Sequence, residues 1–160
     1  MGRVAGSRER VEDYLSGLEQ IYGSFPVNQT TVSLPREQFE RVGADHELRL
    51  VDAYVEVRDV NRQVLHVESG STTELPGGAV DLDGPVEQQL KETVREDTGV
   101  ECVVEDVESA TITGVRDEDE PESETLYHLT VVFGASYESG TVAGEARWES
   151  ERNEIQSTLA

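Results

Sequence analysis

Residues Gly78 to Val100 read GAVDLDGPVEQQLKETVREDTGV, and this stretch decides the fold. Its second half is helical in pattern. Val86, Leu90 and Val94 lie four apart, so they share one face of a helix. Pro85 suits a helix start, Gly84 can precede it as a cap, and Glu87 falls in the first turn, where the macrodipole favours acid. Gly99 follows Thr98 where a left-handed residue ends a helix. The first half is a turn, entered through Leu75-Pro76-Gly77-Gly78. The whole reads as a strand end, a glycine-rich loop and a helix whose polar side carries Glu92, Glu96 and Asp97. Glu92 and Glu96 are neighbours at four-residue spacing; Asp97 is one position further on.

Working outward, Leu50 to Arg58 is rich in β-formers, with Val51, Ala53, Val55 and Val57 on one face. Asp59 to Arg62 supplies turn chemistry, and Gln63 to Glu68 returns as a second strand. Ser69 to Thr73 reads as a polar loop. After the central helix, strands are expected at Glu101–Val107, Ala110–Val115 and Leu126–Tyr137, with an acidic loop at Asp117–Glu124 between the last two. At the N-terminal side, Val11, Tyr14, Leu15, Leu18 and Ile21 give a helix over about residues 7–22, stopped by Gly23. Val27 to Leu34 reads as a strand, and Pro35 begins a short helix through Val42. Trp148, Arg152, Ile155 and Leu159 have helical spacing, which predicts a short C-terminal helix. Strands and helices alternating around one long helix point to a mixed sheet between helices. A chain of 160 residues suits one domain with one core.

Charge sets the surface. There are 34 acidic residues against 13 basic ones, a formal net of -21, and Lys91 is the only lysine. The acid is spread through the expected elements. That distribution fits a surface kept hydrated where salt screens charge strongly, as in halophile proteins, better than an acidic patch for a basic partner. Such a field repels phosphate backbones, so direct nucleic-acid binding is not expected. No run approaches a membrane span, and charges at Arg8, Glu9, Arg10, Glu12 and Asp13 break up the N-terminal region, so a cytoplasmic location is expected. A lone cysteine, Cys102, precludes an intrachain disulfide and reads as a buried hydrophobe. His46, His66 and His128 have no metal-ligand spacing. No nucleophile elbow and no P-loop is present.

The Gly78–Val100 segment resembles the Nudix box. That pattern runs glycine, five residues, glutamate, seven residues, Arg-Glu, an aliphatic, any residue, Glu-Glu, any residue, glycine and an aliphatic. Gly78, Val94, Glu96, Gly99 and Val100 match, Asp97 replaces the last glutamate, and no gap is needed. Leu75-Pro76-Gly77-Gly78 also resembles the usual approach to the box. Gly84 stands in place of the first glutamate, and Glu92-Thr93 in place of Arg-Glu, so one metal ligand is a threonine here.

The resemblance implies an α/β (α+β) three-layer α/β/α sandwich with a mixed sheet, the N-terminal helix lying outside the common core. It implies metal-dependent hydrolysis of a phosphoanhydride in a nucleoside diphosphate-linked substrate. Mg²⁺ or Mn²⁺ would be held by Glu96 and Asp97, with Glu92 assisting from about 100° around the helix. Glu96 is then the catalytic residue. Gly77, Gly78, Arg58 and Arg116 are the substrate-binding candidates, the arginines for phosphate. Asp81, Asp83 or the acidic loop (Glu118, Glu120, Glu122) are sources of a further oxygen. Many Nudix relatives act as dimers, and the N-terminal helix offers a packing surface for a homodimer. The alternative is a Nudix-fold binding or interaction module without catalysis, for which Gly84 and Thr93 argue.

Overall fold

The computed structural model describes residues 6–45 and 50–150. Its centre is the valine-rich run β2 (Val51–Arg58). Strand β7 (Leu126–Gly140) pairs with it in parallel along its whole length, Val51 opposite Leu129 through Arg58 opposite Ser136. On the other side, β5 (Gly77–Ala79) takes Asp52 to Tyr54, leaving β3 (Val64–Ser69) a single pairing at Arg58. Strand β4 (Thr72–Glu74) folds back on β3, so the expected polar loop is half strand. The sheet order is β1-β6-β7-β2-β3-β4, with β5 on β2 and β8 (Ala146–Glu149) on β3. Parallel pairs are β1/β6 and β7/β2, so the sheet is mixed.

The two strands expected over 101–115 are one, β6 (Val100–Asp117). It holds together because register shifts at Glu101/Cys102, Val104/Asp106 and Val107/Ser109 absorb the pattern breaks that read as a strand end. Trp148 lies in β8 and not in a helix, a correction to the spacing argument: Leu65 opposite Trp148 gives it a ladder partner. Arg152, Ile155 and Leu159 lie outside the described residues.

Strand alternation sorts the residues. Val51, Ala53, Val55 and Val57 share a face with Leu129, Val131 and Phe133, all fully buried. Two helices cover that face. Helix α1 (Ser7–Tyr22) contributes Val11, Leu15 and Leu18, and α3 (Val86–Thr98) contributes Leu90 and Val94, all in one core cluster. Each such side chain is worth roughly 1.5–3 kcal/mol in removal from water. Helix α1 is therefore integral to this protein's core, and Tyr22 meets Phe133 edge to face at 5.8 Å. Helix α2 (Arg36–Asp45) packs on β6 and β1, its Gly43 facing Leu126, which has the opposite parity to Leu129. Helices thus lie on both sides of the sheet. The acidic loop is tied to α2: Arg36 pairs with Asp117 at 3.5 Å and Glu120 at 2.5 Å, and its backbone N–H donates to Asp119. Among the described residues, no helix is long and apolar enough to cross a membrane.

Candidate functional site

The approach to α3 is built on close backbone packing. Gly77 and Gly78 pair with Tyr54 and Ala53 at φ 149° and 152°. A Cβ on Gly77 would stand 2.1 Å from the Ala53 carbonyl oxygen, so only glycine fits there. The chain then turns at Asp81, whose Oδ1 accepts the Asp83 N–H at 3.0 Å. Gln89, on the first turns of α3, reaches back and makes two bonds to Asp81. Its Oε1 accepts the Asp81 N–H and its Nε2 donates to the Asp81 carbonyl, both at 2.8 Å. This amide bridge ties loop to helix beside Gly84, where the box pattern has a glutamate. A Cβ on Gly84 would already come within 3.0 Å of the Gln89 Nε2.

Pro85 precedes α3 in extended conformation, occupies the cap position expected of Gly84 and offers no side-chain cap. The far end is locked more firmly. Gly99 is left-handed (φ 81°, ψ 3°) and donates to the Arg95 carbonyl at 2.9 Å. The Thr98 hydroxyl donates to the Val94 carbonyl and accepts the Val100 N–H, and the Ala143 N–H donates to the Thr98 carbonyl.

With Leu90, Val94 and Thr98 facing inward, α3 presents two outward flanks. One borders a groove of about 730 Å³ shared with the end of α1, lined by Ile21, Tyr22, Glu87, Lys91, Glu92 and Arg95 among others. Here the Tyr22 hydroxyl donates to Glu87. Burial and that acceptor push the Tyr22 pKa up. The other flank carries Thr93, Glu96 and Asp97. Glu96 and Asp97 are exposed and do not line the groove. Glu92, which borders the groove, stands one turn before Glu96 and is exposed like it. Among the described residues, no group of three or more His, Cys, Asp or Glu is placed to hold a metal ion. The donor chemistry fits a limited role. Two adjacent carboxylates suit a hard cation that keeps waters and shares its coordination with substrate phosphates; they do not make an all-protein site.

The expected phosphate ligands are engaged elsewhere. Arg58 donates to Glu56, which is fully buried, and to Glu108 Oε1 at 3.2 Å. Desolvation and then the Glu56 charge raise the Glu108 pKa, against the lowering effect of Arg58. Arg116 donates to the Pro121 carbonyl at 3.1 Å and shapes the acidic loop. His128 and Asp52 approach to 3.3 Å on the same side of the sheet as Glu56, and both are buried. Sequence reading missed Gln89, Thr98 and the Glu56–Glu108 pair. For Thr98 and Glu56 a polar residue at an inward position was the available signal; half-exposed Gln89 carries none.

A scan of family profiles finds no match, and a search of curated proteins finds none. Solved structures do match. A UDP-X diphosphatase superposes with a TM-score of 0.51 at 16% identity, over 95% of this chain and 74% of that one. The fold is Nudix-type. A MutT protein from Bacillus halodurans gives a TM-score of 0.48 at 19% identity, covering 62% of this chain and 67% of its own. A NUDIX hydrolase from Nitrosomonas europaea gives 0.46 at 17%, covering 64% and 72%. The glycine turn and α3 occupy the segment that resembles the box, and the Gln89–Asp81 bridge stands beside Gly84.

Proposed function

We propose that this chain is a Nudix-type hydrolase of a phosphoanhydride in a nucleoside diphosphate-linked substrate. Glu96 is its catalytic residue, and Glu96 with Asp97 is the protein's contribution to binding Mg²⁺ or Mn²⁺. One observation carries the reading. A glycine turn that only glycine fits, braced by Gln89, delivers a helix whose last turn exposes Glu96 and Asp97 at the box positions. A bound divalent ion would neutralise charge building on the diphosphate. Glu96 and Asp97 bind and orient; the firm α3 C-terminus keeps their backbone in place. Glu92, one turn before Glu96, is the assisting carboxylate of this reading.

A second reading has its own support. Thr93 occupies a ligand position, and no group of three or more acids is placed to hold a metal ion among the described residues. A binding module without catalysis would look the same. Turnover separates the two. Wild type, Glu96→Gln and Thr93→Glu are assayed in high salt with Mg²⁺ or Mn²⁺ against nucleoside triphosphates, dinucleoside polyphosphates and ADP-sugars. Residues 93, 96 and 97 share one helical flank, so Thr93→Glu completes a three-carboxylate set. Slow wild-type hydrolysis, raised at least about tenfold by Thr93→Glu and abolished by Glu96→Gln, is expected. A folded protein that stays inert in all three forms hands the case to the module.

A further inference from the structure

A second cavity, of about 410 Å³, lies beyond the C-terminal end of α3, with Asp59, Val60, Tyr137, Val142 and Trp148 in its wall. Tyr137 and Trp148 stand nearly perpendicular, with ring centroids 5.8 Å apart and planes at 76°. The Tyr137 hydroxyl donates to the Gly140 carbonyl at 2.6 Å, which fixes that ring in the wall. Val60 is 95% exposed at the rim, an aliphatic side chain held out in water.

We infer that this cavity binds a small organic cation carrying a methylated ammonium group. Tyr137 and Trp148 both line the cavity at near right angles, and a ring face turned towards it offers the negative side of a quadrupole to such a cation. Val60 and Val142 supply contact for its methyl groups. Charge points the same way from three sources. No lysine, arginine or histidine is among the lining residues, whereas Asp59 is. The Gly140–Ala143 loop is stitched to the negative end of α3, where the Ala143 N–H donates to the Thr98 carbonyl. The chain as a whole carries a formal charge of -21. An anionic ligand with no bridging cation would meet all three unfavourably. The inference is independent of the hydrolytic reading, since no residue lining the cavity belongs to the box.

Trp148 is the only tryptophan, so its fluorescence reports on the cavity directly. The full chain is titrated at constant ionic strength with choline, with its uncharged isostere 3,3-dimethylbutan-1-ol, and with adenosine. Saturable quenching by choline, at least about tenfold tighter than by the isostere, is expected. Tyr137→Leu should abolish it. Asp59→Asn keeps the Oδ1 that accepts the Asn61 and Gln63 amides at 2.9 Å and removes the charge. This variant, which preserves the turn, should weaken choline several-fold and leave the isostere unchanged. Equal affinity for choline and isostere, tighter binding of adenosine than choline, no saturable response, or an Asp59→Asn variant that binds choline like wild type would each overturn the inference.

Discussion

The two faces of β2 are built from neighbouring residues and obey different chemistry. On one, Val51, Ala53, Val55 and Val57 are packed under α1 and α3 in a single apolar cluster. On the other, Asp52 and Glu56 are as deeply buried as the valines. A strand in mid-sheet has no dry side and wet side, and here the second face buries charge that must find partners. His128 and Arg58 serve that purpose. The apolar face contributes stability through volume and contact, the polar face through pairing, and the two should respond differently to substitution.

The largest effect is expected on the apolar face. Phe133→Ala removes a fully buried ring that touches Tyr22 and should cost about 3–5 kcal/mol, read from denaturant midpoints in high salt. A cost below about 1 kcal/mol would mean that α1 is not packed as described. On the polar face, His128→Leu strips the buried Asp52 of a neighbour and should cost about 1–3 kcal/mol. Adding Asp52→Leu should recover part of the loss, because removing both members of a buried pair is milder than orphaning one. Strictly additive losses would show that the two are not coupled.

The smallest effect is electrostatic and has a sign. Glu108 has its folded-state pKa raised, so the folded protein holds that proton above the ordinary carboxylate range while the unfolded chain has lost it. Stability from this group is present at low pH and is lost as pH rises through the raised value. Glu108→Gln, which keeps a neutral side chain beside Glu56 and Arg58, should flatten that decline. A mutant whose pH–stability curve overlays the wild type in that window would remove Glu108 from the account.

Much of the architecture was legible before any coordinates. The helices at 7–22 and 86–98 and the strands at 27–34 and 51–58 follow from spacing alone, because each pattern is local and each boundary carries Gly, Pro or a charge. The buried odd-numbered valines of β2 were legible for the same reason. The short strands β4 and β5 were not: three residues carry no period, and both exist only because a neighbour offers its edge. The continuity of β6 was hidden by its bulges, whose repair lies in β7. At the candidate site, the glycine turn and the last-turn acids could be read from residue order. That Glu92 borders a groove follows from where α1 ends, and that Arg58 is tied to Glu56 and Glu108 follows from strand pairing.

By itself, the sequence determined the Nudix-type turn and helix, the apolar stripe of β2 and the acidic surface, since these depend on order along the chain and on composition. Only the tertiary structure decided which charges are buried together, which flank of α3 meets α1, and that Tyr137, Trp148 and Asp59 share one cavity. These groups meet through strand pairing, parallel between β2 and β7 and antiparallel between β3 and β8, which residue order alone does not specify.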